Sequence, residues 1–420
     1  MIARLRAALG RIAIDVEPLR VSRPFRRLWV GLAISEFGYQ FTIVATFVQV
    51  YELTGSAASV GLIGLVGLVG LVAGTLLGST FLDRYDRRTL LLIAQVGFMA
   101  CAATLLAGSL LGEPPVAIVY APVALIALLS AVDMPTRSAM TPRLVGEDQL
   151  AAAITLNQVV WNATALAGPA AAGVVIARLG LPWAYAIDLA SYLAMVWAAA
   201  RLPSLLPDGG EARSSGWAAV REGFAFLRGR PVLQANFGAD VVAMVFGMPR
   251  ALFPILAATQ FGRGPEVVGL LFAAPSVGAL VGALTAGWVG SVRRQGAAVL
   301  WAVALWGAGI AAFGLVGDNL VAALVLLAFA GAADVVSAVF RGTMLQVSTP
   351  DALRGRLWAI HALVVTGGPR LGDLEAGLVA QAFSPAVSVV SGGVLCILGT
   401  AALAVAAPAF RRYDARAGTA

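Results

Sequence analysis

The chain alternates long apolar stretches with short polar joints. Uncharged or nearly uncharged stretches run at about 28–50, 59–82, 89–111, 116–136, 149–177, 181–201, 231–259, 267–290, 296–316, 319–340, 357–382 and 386–409. Each has about the 20 mostly apolar residues that a helix needs to cross a bilayer. The last two come from one uncharged run after Glu375 that is too long for a single span, and Ser384-Pro385 is the turn dividing it. The pattern predicts an all-α membrane protein with twelve transmembrane helices.

Arginine placement tests that count. Arg4, Arg6, Arg11, Arg20, Arg23, Arg26 and Arg27 precede the first stretch; Arg84, Arg87 and Arg88 follow the second, and Arg137 and Arg143 the fourth. Arg213, Arg221, Arg228 and Arg230 follow the sixth, Arg293 and Arg294 the eighth, Arg341, Arg354 and Arg356 the tenth, and Arg411, Arg412 and Arg416 the last. The odd-numbered joints hold only Arg178 and Arg263. By the positive-inside rule, both termini and every even-numbered joint are cytoplasmic in a multi-pass plasma-membrane protein. A count wrong by one helix would scramble this alternation.

The same walk divides the chain. Residues 1–27 form a cytoplasmic amphipathic N-terminus, in which Ile2, Leu5, Leu9 and Ile12 share a face. Residues 28–202 form one six-helix bundle and 231–409 a second. Between them, 203–230 is a polar linker followed by an amphipathic face of Trp217, Val220, Phe224 and Leu227, and 410–420 is a cytoplasmic tail.

Composition then narrows the chemistry. With 60% hydrophobic and 12% charged residues and a mean hydropathy of +0.87, no soluble core absorbs the excess. All 29 basic residues are arginine, which removes the P-loop lysine and any Schiff-base amine. One histidine, His361, builds no histidine-rich zinc site, and Cys101 and Cys396 lie within apolar runs as small hydrophobes. No cofactor is implied. The net charge of +7 is carried by arginines placed to meet anionic lipid, so nucleic acid is not an expected partner. Transport driven by a gradient remains.

The halves also resemble each other. RSAM from Arg137 matches RGTM from Arg341; Asp133 and Asp334 precede them, and Gly168-Pro169 and Gly368-Pro369 follow. Such a repeat marks a transporter of two related bundles with its site between them. The DRYDRR stretch from Asp83 to Arg88 resembles motif A of the major facilitator superfamily, and TALAGPAAAG around Gly168 resembles its antiporter motif C. FRRLWVGLAIS, YELTGSAASVGL, DMPTRSAMTPRLVGEDQL and TMLQVSTPDALRGR are similar to the enterobactin-exporter and drug-efflux branch of that superfamily. Two positions depart: the first glycine of motif A falls on Ser79, and the upstream glycine of motif C falls on Thr164. Helix four also lacks the intramembrane arginine of many drug and proton antiporters.

The resemblance implies two pseudo-symmetric six-helix bundles and export by alternating access. The expected partners are protons, membrane lipids and a bulky amphipathic small molecule such as a siderophore or drug, handled by a monomer. It also implies that helices one, four, seven and ten line the cavity, where Glu36 and Asp240 would face each other. Lipid flipping, a transport-dead sensor or scaffold, and a membrane enzyme are the competing readings; the last lacks a metal-ligand cluster or a nucleophile–histidine pair.

Several residues carry specific expectations. Asp83, with Arg84, Arg87, Arg88 and Arg137, forms a conformational latch if Asp83 pairs with Arg137 or meets the N-terminus of helix eleven; an ordinary topology signal is the alternative. Helix two carries a seam of Gly61, Gly64, Gly67, Gly70, Gly74 and Gly78, for static packing or for gliding. On helix five, Asn157, Trp161, Thr164 and Gly168 share a face leading to Pro169, for a pathway or for helix–helix hydrogen bonding. Phe37, Tyr39, Phe41, Phe246 and Phe253 suit a bulky substrate.

Ionisable groups at membrane depth are the sharpest signals, because a lone charge there is costly. Helix eleven reads TGGPRLGDLEAG. Arg370 and Asp373, three apart, are expected to pair. Glu375 points elsewhere, and an acid without a partner is the better proton carrier, with Asp373 its competitor. Asp188 is expected to make a structural hydrogen bond. Arg250, between Pro249 and Pro254, caps a broken helix or meets an anionic substrate group. His361 serves a cytoplasmic gate or snorkels to the interface.

Overall fold

The computed structural model describes residues 15–82, 84–206 and 216–414, without the side chains at 79–82, 216–220, 351–352, 354–356 and 359. The amphipathic face expected at Ile2 to Ile12, Asp83 and the polar part of the linker therefore lie outside the described residues.

The described chain is helical. Its crossings are α1 (Arg23–Thr54), α2 (Ala57–Leu82), α3 (Arg87–Leu110), α4 (Ala117–Val145), α5 (Leu150–Leu179), α6 (Leu181–Ala200), and α7, which runs in pieces from Pro231–Phe246 to Phe253–Thr259. The second half continues with α8 (Pro265–Thr285), α9 (Gln295–Leu315), α10 (Leu320–Val347), α11 (Asp351–Ala382) and α12 (Pro385–Ala406). Eleven of these are long and apolar enough to cross a bilayer. The twelfth, α11, has 32 residues, about 48 Å at 1.5 Å per residue, and its ionisable groups keep it below that apolar threshold.

Local chemistry sets the boundaries. Ser22 accepts from the Phe25 amide at the start of α1, Asn319 from Ala322 at α10, and Ser384 from Val387 at α12. The Ser384-Pro385 turn thus falls where the sequence puts it. In α7, Pro249 and Pro254 lack amide donors, and a 3-10 turn at Arg250–Leu252 replaces the α-helix between them. One expectation is corrected: α4 and α10 do not stop at the arginines after residues 136 and 340. They continue to Val145 and Val347, which places Arg137 and Arg341 inside helices.

Packing closes the twelve helices into one ring. Within the first half the neighbours are α2·α4, α4·α3, α3·α6, α6·α1 and α1·α5; within the second they are α8·α10, α10·α9, α9·α12, α12·α7 and α7·α11. The two orders are the same, so the halves are pseudo-symmetric six-helix bundles. They meet through α2 on α11 and α5 on α8.

Both seams lie at the arginine-poor end. There Gly61 of α2 faces Gly377 and the Asp373 carbonyl, which a Cβ would meet at 2.7 Å, and Gly173 of α5 faces Gly269 of α8 at 2.9 Å. Phe47 and Phe272 meet edge-on at 5.4 Å, and Ser56 donates to Gln381 at 3.0 Å. The glycine seam of α2 is thus divided: Gly61, Gly64 and Gly67 face α11, while Gly70, Gly74 and Gly78 face α4. The contacts between the halves gather at these seams, and toward the arginine-rich end Met134, Trp161 and Trp358 are 55%, 53% and 41% exposed. Arg201 stacks on Trp197 there, 4.4 Å from the ring centre, as in an interfacial aromatic belt.

Candidate functional site

Three charged clusters join helices within the two halves. In the first half, Arg137 of α4 reaches Glu36 of α1 at 3.2 Å and, one turn back on its own helix, Asp133 at 2.7 Å. Gln95 of α3 donates to the other Asp133 oxygen at 2.8 Å. The i,i+4 spacing stacks Asp133 beneath Arg137, and the remaining guanidinium donors are left to cross to α1.

The second half repeats the arrangement with different parts. Arg341 of α10 meets Asp240 of α7 at 3.0 Å and Asp334 at 3.4 Å. His361 of α11 brings Nδ1 to within 3.5 Å of Asp240, and Asn236 donates to the Arg341 carbonyl. In each half one guanidinium is shared by two carboxylates on the helices that bound the cavity. Each triad is therefore one proton short of neutral.

The third cluster sits higher, at the closed end. Arg250, freed from helical register by the 3-10 turn, meets Asp373 of α11 at 2.7 Å. This corrects the expected Arg370–Asp373 pair. Arg370 instead donates to its own helix at the Thr366 carbonyl, 2.9 Å away, and lies against Gly67 of α2. Spacing along one helix permitted the pair, but the break in α7 offered Asp373 a better-placed partner.

The other expected residues fall as follows. Glu375 has no hydrogen-bond or ion-pair partner among the described residues, and it shares the outer face of α11 with Leu371 and Leu378, 41% and 51% exposed. It is thus separated from the Arg250–Asp373 pair. The expected Asp83–Arg137 contact rests on an undescribed residue, and Arg137 is engaged by Glu36 and Asp133. Arg87 donates to the Ala139 carbonyl at 3.0 Å and Arg88 to that of Ala200, so both tie loop to helix ends inside the first half, while Arg84 is exposed. Asp86 accepts from the Leu205 amide at 2.6 Å and completes that tie.

On α5, Trp161 is exposed, Asn157 is half-buried, and Gly168 packs against Gln40 of α1. Pro169 presents its carbonyl to Gly269 at the α5–α8 seam. Phe37, Tyr39 and Phe246 are half-buried. Phe41 and Phe253 belong to the core instead, Phe253 wedged between Phe272 and Phe313. Asp188 accepts from Thr42 and is fully buried, holding α6 to α1.

Sequence reasoning missed Asp133, Asp334, Arg341 and Gln95 as site residues. The signal for the first three was present in the internal repeat, which aligned both arginines and put an aspartate shortly before each, four residues in one half and seven in the other.

Comparison with known proteins fits this geometry. The family model described as "Transmembrane secretion effector" matches residues 15–418. The enterobactin exporter EntS of Shigella boydii serotype 18 is 28% identical over 399 residues, covering 93% of this chain and 94% of that protein. EntS of Escherichia coli O139:H28 matches to the same extent, 28% over 399 residues. In fold, the chain resembles the POT family transporter PepTSo, with a TM-score of 0.73 at 13% identity, covering 94% of this chain and 99% of that one. A bacterial homologue of the iron transporter ferroportin in its inward-facing state gives 0.70 at 12% identity, covering 93% and 99%. A ring of twelve helices with repeat-matched ion clusters, and a family match from end to end of the described chain, lead to one assignment: the chain belongs to the transmembrane secretion effector family of major facilitator transporters.

Proposed function

We propose that the protein is a proton-coupled exporter that moves a bulky amphipathic small molecule out of the cell by alternating access. The observation that carries the reading is the repeat-matched pair of triads. Arginine placement puts the open end at the cytoplasm and the closed seams at the outer face. In the state described, Glu36 is bound to Arg137 across α1 and α4, as an ionised carboxylate would be. A proton taken from outside would release Glu36 from Arg137 and free α1 to move against α4. Its loss to the cytoplasm would restore the pair and the inward-open form.

This places the proton-carrying role on Glu36, with Asp240 and Asp334 as its counterparts in the second half. Asp373 is committed to Arg250, and Glu375 faces away from the space between the halves. The seams of α2 on α11 and α5 on α8 are built from small residues and part without unlocking side chains. The cytoplasmic loop of Arg84, Arg87 and Arg88 would exchange its contacts within the half for contacts across it when that end closes.

Enterobactin is the first substrate to test, because the named relatives export it. Everted membrane vesicles should accumulate it when a pH gradient is imposed, and nigericin should abolish the uptake. ATP-dependent uptake that persists without a gradient would contradict the proposal.

A further inference from the structure

The closed end of the cavity carries one positive charge too many. Arg250 and Arg370 face a single carboxylate, Asp373, which Arg250 already binds at 2.7 Å. Asp373 is 2% exposed, so it is committed to that pair. The other acids are engaged or remote: Glu36 is held by Arg137, Asp188 accepts from Thr42 and Ser191, and Glu375 lies on the outer face of α11. Among its five donors, Arg370 uses one, on the Thr366 carbonyl. The Arg250 Nε is buried without a partner. An uncompensated guanidinium at membrane depth costs several kcal/mol by general estimates, and such a group persists where a ligand completes it.

The surroundings describe that ligand. Gly67 of α2 gives Arg370 room, and Arg370, Arg250 and Phe246, four residues before Arg250, are all half-buried. We infer that Arg370, with Arg250, docks an anionic group, a carboxylate or phenolate, of an aromatic substrate. This rests on the exporter reading above and sharpens it: the substrate enters from the open end with its acidic group leading. The anion completes the charge balance at the closed end, and Phe246, four residues before Arg250, offers the aromatic body a half-buried ring. Arg370 also touches α2 across the seam, so a bound anion is placed where the halves part.

Equilibrium binding to the purified full-length protein in nanodiscs tests this with radiolabelled 2-naphthoate, its neutral isostere 2-naphthamide, and the cation tetraphenylphosphonium. Wild type should bind naphthoate saturably and at least about tenfold more tightly than naphthamide, the scale of one charge-assisted bidentate contact. Arg370→Gln should remove that preference while leaving naphthamide binding unchanged, and Arg370→Lys should retain part of it. Equal binding of naphthoate and naphthamide by wild type, absence of saturable naphthoate binding, or tighter binding of tetraphenylphosphonium would overturn the inference without needing any variant to fold. An intact preference in Arg370→Gln overturns it as well. If the preference fails while gradient-driven efflux persists, only this inference falls; if the preference holds without gradient-driven transport, the exporter reading falls instead.

Discussion

The two triads occupy the same place in the repeat but are built differently. In the first half, Asp133 sits four residues before Arg137, and the Arg137 and Glu36 side chains are 21% and 15% exposed. In the second, Asp334 sits seven residues before Arg341, two helical turns away, and Arg341 and Asp240 are 4% and 2% exposed. The second triad also recruits His361 from α11, whereas the first recruits Gln95 from α3. Arg341 and Asp240 are sealed between α7, α10 and α11 while Asp334 is 31% exposed; in the first half Asp133 is the buried member and Arg137 and Glu36 are partly open. The repeat preserved the arginine and its cross-helix carboxylate while their exposure diverged, and the proposal that Glu36 exchanges the proton rests on that difference.

Removing the arginines should expose that difference most strongly. Arg341→Ala leaves two carboxylates without their guanidinium, one of them fully buried, and should cost about 3–5 kcal/mol. Expression and thermal stability in detergent should collapse, and adding Asp240→Asn should recover much of the loss. Arg137→Ala should be tolerated better, because Glu36 is 15% exposed and Gln95 still donates to Asp133. Equal losses in the two variants would erase the distinction.

The third cluster extends the test. Arg250→Ala strands Asp373 and should destabilise by about 3 kcal/mol, with recovery on adding Asp373→Asn. Arg370→Ala removes a side chain bonded to one backbone carbonyl and should melt within a few degrees of wild type. The reverse order would restore the pair read from spacing on α11 alone. His361→Gln removes one long contact to Asp240 and should cost about 1 kcal/mol, with no change in proton coupling. Glu375→Gln should change stability by less than about 0.5 kcal/mol and leave transport intact. Loss of coupling in that variant would return the carrier role to α11.

Much of this was legible beforehand. Twelve crossings, the arginine alternation and the Ser384-Pro385 turn follow from hydropathy and backbone chemistry, which act locally. The limits were also physical. Arg137 and Arg341 end the apolar runs, so the helices appeared to stop there; they continue because carboxylates from α1 and α7 satisfy the charges, and that compensation lies about 100 residues away in sequence. Arg370 and Asp373 are three residues apart, yet the better partner came from a broken segment of another helix. Glu375 stood out because nothing nearby in sequence neutralised it, but which way α11 turns is decided by the glycines of α2. Local pattern located the charges, and tertiary packing chose their partners.

The central claim is that Glu36 carries the exchanged proton. Its most direct test is substrate-induced proton movement, followed with an entrapped pH dye in proteoliposomes, for wild type, Glu36→Gln and Glu375→Gln. The account predicts that Glu36→Gln remains folded and binds substrate but loses the proton signal by at least about tenfold, while Glu375→Gln matches wild type. Undiminished proton movement in Glu36→Gln, or its loss in Glu375→Gln, would contradict it.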